Sequence, residues 1–184
     1  MFHVIWDKGS VMAKTYELIT SYTVSSATYS LSITSIPQTY TDLLVVFSLR
    51  SDYGTAHEGQ LIFNSVSSGY TQTLLYGTGG GTGSATPGTS STGTWTLNIV
   101  GGGATANTFS NGELYFPNYS NTSVSKCWSG TTVTENNGST AYQYAVAGSN
   151  TSTAAISSLT FYAWQSFINF VSGSKFYLYG IKNS

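Results

Sequence analysis

Charge is what this sequence has least of. Six Lys and Arg and seven Asp and Glu make up 7% of its 184 residues, where about 25% is usual. That scarcity excludes functions that run on charge. Binding to nucleic acid needs a basic stripe that neutralises phosphates, and six scattered cations form none. No nucleic-acid partner is expected. The formal net charge is −1, so copies of the chain repel one another weakly. Free soluble proteins keep their net charge away from zero to avoid self-association. This surface suits a chain packed against copies of itself or a larger partner.

Cysteine is the second scarcity. Cys127 stands alone, so no disulfide within the chain can staple the fold, and a reducing site of synthesis is favoured. It lies beside Trp128 in a predicted strand with no histidine near in sequence, and it reads as a buried, inert thiol. Long apolar runs are also missing. The longest clear one, Leu43-Leu44-Val45-Val46-Phe47, is far shorter than the ~18 residues of a membrane span. The start, Met1-Phe2-His3-Val4-Ile5-Trp6-Asp7-Lys8, has no basic n-region and too short an apolar run for a secretion signal. We expect no membrane association.

What the chain does hold is 14 Tyr, 9 Phe and 4 Trp, with many Val, Ile and Thr. Disorder requires few aromatic and β-branched residues, so this chain folds. At its length roughly two-thirds of the unfolded surface can be buried, and no cofactor or metal is needed to stabilise a core. Short apolar segments alternate with Gly, Ser and Asn turns throughout. Residues 29–33 (Tyr-Ser-Leu-Ser-Ile) and 95–99 (Trp-Thr-Leu-Asn-Ile) carry the period of two that marks a half-buried strand. Residues 43–49 are almost continuously apolar and predict a central strand covered on both faces. Segments 61–63 and 71–76 predict a strand pair joined through Ser67-Ser68-Gly69. Further strands are predicted over 15–19, 114–116, 124–128, 142–146, 156–164 and 176–181. About ten short strands with frequent turns point to an all-β sandwich or barrel in a single domain. Residues 163–171 are the best helical candidate, a turn or two at most. No fixed repeat is present, which argues against a propeller or solenoid.

Two stretches depart from the strand pattern. Residues 1–13 form an N-terminal arm ahead of a body at 14–184, and Met12 competes with Met1 as the physiological start. Phe2, Val4, Ile5 and Trp6 in that arm are the candidate partner-binding residues. Residues 77–93 (GTGGGTGSATPGTSSTG) have no apolar anchor and predict a long flexible, Gly-rich loop. Gly101-Gly102-Gly103-Ala104-Thr105-Ala106 predicts a shorter one.

Catalytic patterns are thin. His57-Glu58-Gly59-Gln60-Leu61 lacks the second histidine of a zinc-protease motif. Asp52, His57 and Glu58 offer three donors within seven positions, a weak metal pattern for which a solvated loop is the better reading. A Ser–His–Asp triad through His57 gains nothing from so many serines, and no G-x-S-x-G elbow is present. A glycosidase needs two carboxylates at a fixed separation. The seven acids (Asp7, Glu17, Asp42, Asp52, Glu58, Glu113 and Glu135) show no spacing that selects a pair. Gly77-Thr78-Gly79-Gly80-Gly81-Thr82-Gly83 lacks the Gly-Lys-Ser/Thr of a phosphate loop. The chain therefore reads as a non-enzyme. Exposed tyrosines beside Asn and Ser can stack on sugars, and Tyr53, Tyr70, Tyr119 and Tyr142 are the candidates for a host glycan, a structural role being the better reading of each.

Four segments carry a family resemblance: Ser35-Ile36-Pro37-Gln38-Thr39-Tyr40-Thr41-Asp42-Leu43, Phe63-Asn64, Tyr115-Phe116-Pro117-Asn118-Tyr119, and the closing Gly173-Ser174-Lys175-Phe176-Tyr177-Leu178-Tyr179-Gly180-Ile181-Lys182. Together they resemble virion structural proteins of bacteriophages, often phages of aquatic bacteria, that end in a GS-x-F-x-LYGI-K strand. The closing strand is the most specific part. The resemblance implies a jelly-roll-like antiparallel β-sandwich made in the host cytoplasm and incorporated into the virion. It supplies no catalytic residues. A compact chain without fibre repeats fits a capsid decoration (cement) protein, bound to the major capsid protein or other virion proteins and self-associated, a trimer being favoured. The alternative is the receptor- or carbohydrate-binding head of a tail fibre or spike.

Overall fold

The computed structural model describes residues 15–77, 83–90, 92–134 and 141–182. The arm with Phe2, Val4, Ile5 and Trp6 lies outside them. The described residues contain no helix. They form twelve strands: β1 (Tyr16–Thr23), β2 (Ser30–Ile33), β3 (Asp42–Leu49), β4 (His57–Phe63), β5 (Tyr70–Gly77), β6 (Ser84–Ser90), β7 (Thr94–Ile99), β8 (Ser110–Phe116), β9 (Lys126–Thr134), β10 (Tyr142–Asn150), β11 (Leu159–Tyr162) and β12 (Lys175–Ile181). They pair antiparallel in two sheets. The large sheet runs β1-β12-β3-β8-β9-β10-β5-β6 and the small one β2-β11-β4-β7.

The pairing is nested. First pairs with last, β1 with β12, then β2 with β11, β3 with β8 and β4 with β7. Strands β5, β6, β9 and β10 extend the large sheet beyond β8. Alternation builds the core. Leu43, Val45, Phe47 and Leu49 of β3 point inward together with Leu114 and Phe116 of β8 and Phe176 and Leu178 of β12. From the small sheet Leu61 and Phe63, Leu97 and Ile99, and Leu159 and Phe161 meet them in one buried apolar cluster. This is the packing of a β-sandwich, in which the inner faces of two sheets interdigitate.

Several sequence expectations change. Strands β4 and β5 are not partners. They lie in different sheets, and the link between them crosses the sandwich. Asn64 and Ser65 take left-handed backbone angles there (φ 51° and 57°). The Asn64 side chain pins the corner, donating to the Ala155 carbonyl (2.7 Å) and accepting from the Ser157 amide (2.8 Å). Strand β3 is covered fully on one face only, since Leu44, Val46 and Ser48 are half-buried on the other. The segment 77–93 is not loop throughout. Residues 84–90 pair with residues 70–76 of β5, and a sheet edge is where a strand tolerates a proline such as Pro87. Residues 163–171 form no helix but hold one tight turn, the Ile168 amide donating to the Gln165 carbonyl (2.8 Å), while Ala163 and Phe170 hydrogen-bond to Tyr29 and Thr28. Cys127 is exposed, not buried. Its neighbour Trp128 takes the inward position on β9, and successive strand residues face opposite sides.

Candidate ligand pocket

The connection between β3 and β4 builds a pocket, and it begins with a charge. Arg50, 8% exposed, follows β3. Its Nη1 donates to the carbonyls of Thr105 (2.8 Å) and Thr108 (2.9 Å) and to Thr108 Oγ1 (3.1 Å). Its Nη2 donates to the carbonyls of Gly102 (3.0 Å) and Ala104 (2.9 Å). The Gly-rich stretch 101–106, expected to be loose, is therefore wrapped around a guanidinium. It also packs on the connection itself. A Cβ at Gly101 would stand 2.3 Å from the Thr55 carbonyl oxygen, so only glycine fits. Asp52 anchors the other flank: its two carboxylate oxygens accept from the backbone and side-chain amides of Asn169, both at 2.8 Å.

His57 opens β4. Its Nδ1 lies 3.2 Å from the Thr55 carbonyl and its Nε2 2.9 Å from the Ala163 carbonyl. Burial holds the imidazole below its ordinary pKa, against the opposing pull of the two carbonyls. The ring stacks on Trp164 (centroids 6.0 Å apart, planes at 23°), and Tyr53 meets both edge-on, at 5.4 Å from His57 and 6.2 Å from Trp164. Trp164 holds φ at 107°, a region that bulky residues avoid and that clusters at functional sites.

Beside this trio, Trp95 of β7, Tyr144 of β10 and Glu58 complete the wall of a cavity of about 410 Å³, with Thr55 and Ala56. That volume lies within the range of small-molecule sites. Trp95 is fixed through its backbone. Its amide donates to Gln72 Oε1 (2.9 Å) and its carbonyl accepts from Gln72 Nε2 (3.3 Å), so an amide side chain of β5 extends the ladder at the edge of the small sheet. Burial raises the pKa of the Glu58 carboxyl. It also pushes the Tyr144 hydroxyl up to about 12, with the Glu58 charge as a lesser cause. Among the described residues Glu58 has no hydrogen-bond or ion-pair partner.

The sequence-predicted residues scatter. His57 and Glu58 reach the pocket, but Asp52 is turned to Asn169, and no three-donor metal cluster forms among the described residues. Both His57 nitrogens face carbonyls, which leaves neither for a serine. Glu113 is exposed on β8 and takes no part in the pocket. Of the four tyrosines proposed for glycan contact, only Tyr53 lines the cavity. Tyr70 and Tyr119 are core residues; the Tyr70 hydroxyl donates to the Val66 carbonyl (3.0 Å), and that of Tyr119 to the Pro37 carbonyl. Tyr142 is half-buried at the start of β10. Trp95, Tyr144 and Trp164 were missed. They come from three elements distant in sequence, and the strained φ of Trp164 leaves no trace in residue order. No protein-family model, no curated protein and no solved structure matches this chain, and its function is read from its own residues.

Proposed function

We propose that the chain is a non-enzymatic structural protein of a bacteriophage virion, a capsid decoration (cement) protein that binds and stabilises the head lattice. The observation that carries this reading is the edge of the large sheet. Natural edge strands are blunted by Lys, Pro or covering elements. Strand β1 contains neither Lys nor Pro, and its one charged residue is Glu17. Tyr16 is 57% exposed and Leu18 51%. Leu18 continues a row through Tyr179, Leu44 and Tyr115 on the outer face of four adjacent strands. A free protein leaves such an edge open to aggregation; an assembled one covers it.

The nested pairing supports the same reading. Without β5, β6, β9 and β10, sheets β1-β12-β3-β8 and β2-β11-β4-β7 have the strand order of a jelly roll, an architecture recurrent in viral capsid and lectin domains. This is support by fold analogy. The partners are the major capsid protein or other virion proteins, and copies of the chain associate, a trimer being the expected form. A stable docking surface would bury more than about 1,000 Å². Quantitative mass spectrometry of purified particles tests the proposal. A copy number matching the sites of the capsid lattice is expected, and one matching the tail overturns it. Leu18→Lys should lower occupancy on the particle.

The pocket favours a second reading, the receptor- or carbohydrate-binding head of a tail fibre or spike. Two indoles, two phenols and a carboxylate around one cavity are suited to a small polar ring.

A further inference from the structure

The Glu58 carboxylate is the least satisfied charge among the described residues. The other cations and anions with resolved contacts have answers. Arg50 is enclosed by carbonyls. Lys126 donates to the carbonyls of Asn121 and Val124. Lys182 lies 5.4 Å from the centre of the Tyr40 ring. Asp52 holds Asn169, and Asp42 accepts from the Tyr115 hydroxyl (2.6 Å) and the Asn118 amide (2.8 Å). Glu58 has no such partner, and no Lys or Arg lines its cavity. Partial burial of an uncompensated carboxylate costs stability, and the described fold offers no cation in return.

The surroundings specify what would answer it. Aromatic faces are electronegative and attract cations within about 6 Å. Four aromatic side chains share the cavity with the carboxylate, and no Lys or Arg offsets its charge there. A bare acceptor calls for a donor, and an ammonium offers only donors. The cavity of about 410 Å³ is larger than an ammonium group alone requires, and its flat indole and phenol walls suit the apolar face of a saturated ring.

We propose that the Tyr53–Glu58–Trp95–Tyr144–Trp164 pocket binds an amino sugar, with the ammonium held at Glu58 and the sugar ring against the aromatic side chains. The inference rests on the pocket being a ligand site, the feature behind the second reading above. It adds that the ligand must carry a positive charge. Glucosamine and glucose share a ring and differ by the ammonium, so they are the probes. Titration calorimetry and tryptophan fluorescence at neutral pH and low salt should show saturable glucosamine binding. A charge-assisted contact predicts a preference of about tenfold over glucose. Glu58→Gln, which keeps the shape of the side chain, should remove that preference, and circular dichroism would confirm its fold. Equal affinity for the two sugars, or a preference that survives Glu58→Gln, overturns the ammonium inference alone. No saturable binding of either sugar overturns the pocket as a saccharide site.

Discussion

Arg50 and Glu58 stand at the two ends of the connection between β3 and β4, and the fold treats them in opposite ways. Arg50 spends its guanidinium on five hydrogen bonds, four of them to neutral backbone carbonyls. Both terminal nitrogens of the guanidinium are engaged, Nη1 with three acceptors and Nη2 with two, so this cradle meets a full charge without any carboxylate. Glu58, also partly removed from water, has no partner among the described residues. The segment 102–108 encloses the first charge, and nothing comparable encloses the second. A charge that holds the fold together is wrapped by backbone. A charge facing a cavity is available to a ligand.

The strongest way to break this contrast is to remove the enclosed charge. Arg50→Ala leaves the carbonyls of Gly102, Ala104, Thr105 and Thr108 without their donor. Each buried group left unmet costs about 1–3 kcal/mol, less where water reaches it. We expect a loss of about 3 kcal/mol or more in urea unfolding. Arg50→Lys should recover only part of it, because an ammonium lacks the planar fork that reaches carbonyls on both sides. A loss under about 1 kcal/mol would mean the cradle is incidental.

Next in size is Gly101→Ala. The new Cβ would lie 2.3 Å from the Thr55 oxygen and 2.6 Å from that of Tyr53. Overpacking of this kind costs about 1–3 kcal/mol. It presses on the segment that carries Tyr53 into the pocket, so the variant should lose glucosamine affinity together with stability. If stability falls and affinity is unchanged, the two ends of the connection are independent.

The strands themselves were largely legible in the sequence. Alternation at 29–33 and 95–99 and the apolar run at 43–49 each became a strand. What alternation does not encode is which sheet a strand joins, because both sheets bury the same face. That is why β4 and β5 read as partners. Strand β6 was hidden because its residues are Ser, Ala, Thr, Gly and Pro, which carry no strand pattern, and pairing with β5 is what reveals it. The Arg50 cradle was hidden for a related reason. Its acceptors are backbone carbonyls, which every residue has. The exposure of Cys127 was readable from parity once Trp128 is taken as core. Of the pocket, the segment holding Tyr53, His57 and Glu58 could be seen as a polar cluster, although His57 and Glu58 open β4 rather than sit in a loop, while the convergence of Trp95, Tyr144 and Trp164 upon it is tertiary.

The smallest effect gives the sharpest view of the bare charge. Burial raises the Glu58 carboxyl above its ordinary value of 4.5, so the fold prefers the neutral form. The stability tied to this group is then fully present below the unfolded-state value and is lost as pH rises through the higher folded-state value. At neutral pH the ionised carboxylate is a small net cost. Glu58→Gln keeps the side chain's shape and removes that charge. In the absence of ligand the variant should be more stable than the parent at neutral pH, by less than about 1 kcal/mol. Its advantage should shrink towards zero as the pH falls through the window just above 4.5. His57 is shifted the other way by burial, but it titrates in both proteins and largely cancels in the difference between their unfolding curves. A Gln variant less stable at neutral pH would mean that the carboxylate has a partner within the fold. Glu58 would then belong with Arg50, as a charge the fold has enclosed, and the pocket would lose its reason to attract a cation.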